Sequence, residues 1–199
     1  MKKLLYTLLA VSIIFSACEE DTPLPAPNNN NSALAIGDTH QGGIIFYLNA
    51  NGGGLIAAPT DHSSVAEWGC YGTPFSGIAV SGADGTAIGT GAQNTIDIVN
   101  ADCTTIDSTY LTAANICSNL TLGGYTDWFL PSKDELNEMY LNIGQGNALG
   151  LGNIGGFTDG NFWSSTEYND GAWQHYFFNG NSWTSDKSDY HYVRAVRAF

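Results

Sequence analysis

The chain has 199 residues, a formal net charge of −13, and 6 Lys and Arg against 19 Asp and Glu. So few cations cannot neutralise a phosphate backbone, which excludes nucleic acid as a partner and disfavours heparin-like polyanions. The 24 glycines accompany short apolar runs rather than long ones.

Lys2 and Lys3 open the chain, and Leu4 to Phe15 follows as an apolar run of 12 residues. That is too short to span a bilayer. Phe15-Ser16-Ala17-Cys18 closes the run, which gives residues 1–17 the pattern of a bacterial secretion signal. The motif resembles a lipobox, in which Cys18 becomes the lipidated first residue; an ordinary cleaved signal with a chance cysteine is the alternative. Glu19-Glu20-Asp21 resembles the surface-export signal of some Gram-negative lipoproteins, or else begins a solvated linker. The first of these implies an outer-membrane lipoprotein facing outward, held by its lipid. Thr22 to Ser32 (TPLPAPNNNNS) cannot bury a core, so residues 18–32 read as a tether. Residues 33–199 then form one domain of ordinary size. Without Lys2 and Lys3, four cations face 19 acids, a balance of −15. This suits a neutral or cationic ligand.

Gly42–Leu48 and Gly54–Thr60 read as two strands, joined by a hairpin over Asn49–Gly53. Asp61 to Gly91 is Gly- and Ser-rich without a sustained period, so a long ordered loop is expected there, anchored by Trp68 and Tyr71. Two helices follow, Asn94–Ala101 and Ser108–Leu120, the second with a stripe of Tyr110, Leu111, Ala113, Ala114, Cys117 and Leu120. Trp128–Pro131 leads as a short strand into a third helix. Its start is a capping box, with Ser132 as N-cap and Glu135 at the third position. Leu136, Met139, Tyr140 and Ile143 then repeat at the spacing of one buried face. After a glycine-rich loop, Gly144–Gly156, strands are expected over Phe162–Ser164, Trp173–Phe178, Ser182–Ser185 and Tyr192–Ala198. Few helices, many short antiparallel strands and abundant ordered loop make this an α+β fold. Besides Cys18 there are three cysteines, and in an oxidising compartment one disulfide is expected. Cys103 with Cys117 is favoured because the loop is short and Cys117 lies on a nearby helix; Cys70 with Cys103 is the alternative. The three lack zinc-ligand spacing.

The stretch GYTDWFLPSKDEL (Gly124–Leu136), followed by FWSSTEY (Phe162–Tyr168) and YVRAVRAF (Tyr192–Phe199), resembles the C-terminal domain family of collagen-like bacterial adhesins. WGCYGT (Trp68–Thr73) and AIGTG (Ala87–Gly91) also fit, so the resemblance spans about residues 36–199. That family is similar to C-type-lectin-like domains and to the formylglycine-generating enzyme fold. The resemblance implies a C-type-lectin-like fold whose two ends pair as strands and whose C-terminal half presents a ligand. A second resemblance is to C-type-lectin-like proteins diversified by retroelements, in which randomised adenines scatter Asn codons into Ser, Asp, Tyr, His and others. From Ser164 to Tyr192, 17 of 29 residues are Asn, Ser, Asp, Tyr or His. An ordinary polar binding loop has a similar composition. Trp183 and Lys187 cannot come from AAC with its third base kept, so both read as framework or as outside the variable set.

The candidate binding face is the run from Gln174 to His191, because Trp and Tyr give rigid contact area and Asn, Ser and Asp give adaptable hydrogen bonds. Its members are Gln174, His175, Tyr176, Phe178, Asn179, Asn181, Ser182, Trp183, Ser185, Asp186, Ser188, Asp189, Tyr190 and His191. The ligand expected is a protein or a glycan. Trp163 and Trp173 read as core. No cofactor or metal is expected: His175 and His191 lack partners at zinc spacing, and Asp186 and Asp189 lack the tripeptide of calcium-dependent lectins. Arg194 and Arg197, three apart on one strand, should face opposite sides, one turning inward to Glu135, Asp134 or Asp127. The cysteines all precede Trp128, so the enzyme relative's C-terminal cysteine pair is missing. Gly-x-Ser-x-Gly, His-Glu-x-x-His and phosphate-loop motifs do not occur, which leaves a binding module as the expectation.

Overall fold

The computed structural model describes residues 33–72 and 77–199. The signal over residues 1–17, Cys18 and the tether to Ser32 lie outside the described residues, as do residues 73–76. Among the described residues, no helix is long and apolar enough to cross a membrane.

Leu34–Phe199 folds as one unit around two sheets. The first contains β1 (Thr39–His40), β2 (Gly43–Leu48), β3 (Gly54–Ala57) and β9 (Val196–Ala198), in the order β1-β2-β3-β9. The second contains β4 (Ser63–Ala66), β5 (Asn161–Tyr168), β6 (Gly171–Tyr176), β7 (Asn181–Asp186) and β8 (His191–Val193), in the order β4-β8-β5-β6-β7. The hairpin β2–β3 forms where the sequence places it, and β9 pairs with β3. The beginning and the end of the domain are thus joined in one sheet, as the lectin-like resemblance implies.

Alternation along the strands creates two cores, one on each side of the sheets. β2 sends Ile45 into one and Phe46 into the other; β5 divides Phe162 and Trp163 in the same way. Trp68, Trp163, Leu130 and Val193 fill the first core together with helices α1 (Gly91–Asn100) and α2 (Ala113–Ser118). Phe46, Phe157, Phe162 and Phe177 fill the second under helix α3 (Lys133–Ile143), which contributes Leu136, Met139 and Ile143. The α+β expectation holds, with three helices and nine strands among the described residues.

The start of α3 is built as its sequence predicts. The Glu135 amide donates to Ser132 Oγ at 3.3 Å, and the Ser132 amide donates to Glu135 Oε2 at 2.7 Å. Glu135 does more than cap: its Oε1 accepts the amide of Gly89 at 2.8 Å, which docks the loop before α1 onto α3. A Cβ on Gly91 would overlap the Glu135 carboxylate, so that close approach requires glycine.

Several expectations need correction. The second helix starts at Ala113, not Ser108, because Thr112 in extended backbone caps it by accepting the Asn115 amide. Tyr110 and Leu111, read as part of its buried stripe, are exposed instead. The stretch read as one long loop from Asp61 contains β4. Trp128–Pro131 makes only a bridge, Phe129 to Val196. The last predicted strand is two strands in different sheets, since the chain leaves β8 at Val193 and enters β9 at Val196.

That switch also changes the arginines, which do not share one strand. Arg194 is buried and pairs with Asp61, which was not among the predicted partners. Arg197 pairs with Asp127, which was, and stacks on the ring of Tyr125.

The disulfide joins Cys70 to Cys103, so the favoured pairing of Cys103 with Cys117 is wrong and the alternative holds. Cys117 faces inward from α2 as a buried free thiol. Cys70, with φ 58, turns toward the segment that follows α1.

Candidate ligand-binding face

β6 and β7 form a hairpin at the edge of the five-stranded sheet. Its tip is pinned locally. The Gly180 amide donates to the Tyr176 carbonyl at 2.8 Å, and the Asn181 amide donates to Asn179 Oδ1 at 3.1 Å. Gly180 sits at φ 76, a conformation that favours glycine. The adjacent phenylalanines then divide. Phe177 is buried against Tyr140, Phe157 and Phe162 and anchors the tip, whereas Phe178 is 61% exposed.

Register decides which side chains meet. Tyr176 lies opposite Asn181, and Gln174 opposite Trp183, so these four share a face. On it the Tyr176 ring lies 5.7 Å from that of Phe178 and 5.9 Å from that of Trp183. The three aromatics form one partly to well exposed cluster with Asn179 and Asn181 beside it. Toward the sheet centre the same face continues through β5, where Asn161 is opposite Tyr176 and Trp163 opposite Gln174. It then reaches β8, where the His191 ring lies 4.3 Å from that of Trp163.

This face carries unmet hydrogen-bonding capacity. Gln174 is 1% exposed, yet neither its Oε1 nor its Nε2 has a partner in the protein. Asn161 Oδ1 and His191 Nε2 are also buried and unpartnered. Buried polar atoms are nearly always paired; four of the exceptions fall on this face, and His175 Nε2 on the reverse face is another. Burial lowers the pKa of His191, which keeps its imidazole neutral and able to exchange donor and acceptor roles.

The other predicted residues lie elsewhere. His175 and Ser182 are opposite each other on the reverse face, where His175 Nδ1 and Ser182 Oγ are 2.9 Å apart. The His175 ring packs 5.1 Å from Tyr140 of α3, and burial with the Lys133 charge nearby lowers its pKa to about 4. Asp186 also faces that side, while Ser185 follows the register of Gln174 and Trp183. Ser188, Asp189 and Tyr190 lie in the turn after β7, closed by the Asp189 amide on the Asp186 carbonyl. Tyr190 lines a separate cavity beside β4. Tyr190 directly precedes β8, which lies next to β4 and two strands from β6. Asn161 and Trp163 are the face residues that the sequence did not single out for binding; only their register with Gln174 and Tyr176 reveals them. Among the described residues, no three His, Cys, Asp or Glu side chains converge as a metal centre requires.

The family model of the Lcl C-terminal domain matches residues 86–197, more than half of the chain. The chain belongs to the Lcl C-terminal domain family. This agrees with the resemblance to collagen-like adhesins and makes the domain adhesin-like. Among curated proteins, none gives a significant match. Within this Lcl C-terminal domain, the match takes in the loop docked by Glu135, helix α3 and all of the β5–β8 face.

Proposed function

We propose that this Lcl C-terminal domain is the recognition module of a surface-anchored lipoprotein. It binds a glycan or a protein through the face of Tyr176, Phe178, Asn179, Asn181 and Trp183. One observation carries the reading: an exposed aromatic cluster lies on the same face as the unpartnered buried amide of Gln174. Aromatic rings supply contact area at small entropic cost, and amides supply directional bonds. Cys18 would be the lipid site and residues 19–32 the spacer.

The test is binding of the full chain in detergent to arrays of glycans and of extracellular proteins. Trp183→Ala and Tyr176→Ala should each weaken whatever binding is found by about tenfold or more, as central aromatic anchors do. Their folding stability should change by less than about 1 kcal/mol, since both side chains are partly exposed. An absence of binding on both arrays, or variants that bind like the wild type, would favour a structural envelope role. Substituting Cys18→Ser should move the protein from the membrane fraction to the soluble one.

Diversification by a retroelement is the finer part of the proposal. Asn179, Asn181, Asp186 and Asp189 are exposed and belong to the residue set that adenine randomisation yields. Lys187, which that chemistry cannot make from AAC, is buried and paired with Glu167. Constant third bases at the exposed codons, with a near-identical repeat beside a reverse transcriptase, are the expected finding. Evenly spread synonymous variation would refute it.

A further inference from the structure

Beside β4, at the sheet edge opposite β7, lies a cavity of about 380 Å³ with Glu67 among its lining residues. Glu67 is 4% exposed, so its carboxyl group is buried. Oε2 accepts the Tyr71 hydroxyl at 2.8 Å and the Ile106 amide at 2.8 Å. Tyr190 lines the same cavity, and the nearby Glu67 raises its pKa. These groups are donors but none is a cation. The four cations of the described residues are all engaged elsewhere: Lys187 with Glu167, Arg194 with Asp61, Arg197 with Asp127, and Lys133 over the Trp173 ring. Among the described residues, Glu67 is therefore a buried acid without a counter-charge, whereas buried charges are ordinarily paired.

The walls fit an apolar body. Val65, Ile106, Tyr110, Leu111 and Tyr190 line the cavity and are each 49% to 71% exposed, a concentration of large apolar side chains that single scattered residues would not produce. Two of the five present phenol rings, whose faces attract cations. Asp107 also lines the cavity, and hydrogen bonds from Thr109 lower its pKa. The cavity is also rigidly built. The Cys70–Cys103 bridge staples the segment of Glu67 to the segment of Ile106. Thr105 Oγ1 lies 2.6 Å from the Asp107 carbonyl and 3.1 Å from that of Tyr110.

We propose that this cavity is a second binding site, which takes an ammonium group carried on an apolar body. The ammonium sits between Glu67 and the rings of Tyr110 and Tyr190, and the body lies against Val65, Ile106 and Leu111. The chemistry is shared by free organic amines and by the lysine side chain of a partner protein.

The probe is phenethylamine, titrated calorimetrically into the full chain in detergent beside the neutral 2-phenylethanol. Saturable binding of the amine, at least about tenfold tighter than the alcohol, is expected from the added charge and cation–π attraction. Glu67→Gln should remove that preference, with its near-ultraviolet circular dichroism recorded to show that it folds. Tyr110→Ala changes a 71% exposed side chain, so it should leave the fold intact and weaken the amine about threefold or more. Trp183→Ala should leave amine binding unchanged, which separates this site from the hairpin face. Competition by Nα-acetyl-lysine methylamide would point to a partner's lysine, and its failure to compete to a free amine. Equal binding of amine and alcohol, no saturable binding of either, or wild-type amine affinity in Tyr110→Ala would overturn the assignment.

Discussion

Replacing Arg194 with Met tests the account of how the two sheets are joined. The guanidinium is 1% exposed and lies in the gap between β8 and β9. It donates from Nε to Asp61 Oδ1 at 2.7 Å and from Nη1 to the carbonyls of Ala58 and Gly155 at 2.9 and 2.8 Å. Its plane lies 4.2 Å from the centre of the Phe157 ring. Met keeps most of the stem's volume on Phe157, so the loss isolates the charge and its bonds. Asp61 and two buried carbonyls are then left without their donor, and breaking one side of a buried pair costs about 4 kcal/mol. That is a large part of the 5–15 kcal/mol or so that holds a typical domain together, and corresponds to roughly 10 °C in Tm. Arg197→Met provides the comparison. Its partner Asp127 has a side chain 62% exposed, so solvent screens the pair and the expected loss is about 1–2 kcal/mol. Urea unfolding followed by tryptophan fluorescence measures both. A loss below about 1 kcal/mol for Arg194→Met, or equal losses for the two variants, would refute this reasoning.

Two further outcomes follow from buried groups. The pKa of His175 falls from 6.5 to about 4 through burial and the Lys133 charge, so the unfolded chain takes up this proton first on acidification. Stability from this group is therefore complete above pH 6.5 and declines by about 3 kcal/mol as the pH approaches 4. His62 and His191, also lowered by burial, steepen the decline. Urea midpoints measured from pH 7 to 4 should fall, with a shallower slope in His175→Gln; a flat profile would contradict the assignment. For the cysteines, peptide mapping without reductant should recover Cys70 linked to Cys103, with Cys117 alkylated only after unfolding, because burial shields that thiol and raises its pKa. The bridge closes a sequence separation of 33, so Cys70→Ser with Cys103→Ser should cost about 4 kcal/mol, while Cys117→Ala costs much less.

What could be read from the sequence was what depends on near neighbours. The capping box at Ser132, the stripe of Leu136, Met139 and Ile143, and the turn between β2 and β3 are set within a few residues, and each formed as expected. The two strands of the edge hairpin were expected, but the first spans Gly171–Tyr176 rather than Trp173–Phe178, because the tip closes on the Tyr176 carbonyl. What escaped depends on distant pairing. Gln174 and His175 belong to a polar run, but they sit mid-strand on β6 between β5 and β7, and both are buried. Tyr110 and Leu111 continue a helical period that Thr112 interrupts by capping, and they line a cavity instead. Glu67 drew no notice although Trp68 and Tyr71 beside it did, because Ile106 and Tyr190, which meet it in the cavity, come from far along the chain. Asp61 was overlooked as the partner of Arg194 because 133 positions separate them.

The pairing of β3 with β9 bears on when folding can happen at all. β2 and β3 emerge from the ribosome among the first elements of the domain, but they complete their sheet only with residues 196–198. Arg194 and Val196 likewise fasten Asp61 and Phe129 from the far end of the chain. Contacts of such long sequence separation form late and slowly. A nascent chain therefore stays without its closing strand until residues 196–198 have been made. For a protein threaded through a membrane as proposed, that delay is useful, because a translocation channel accepts only what has not yet folded.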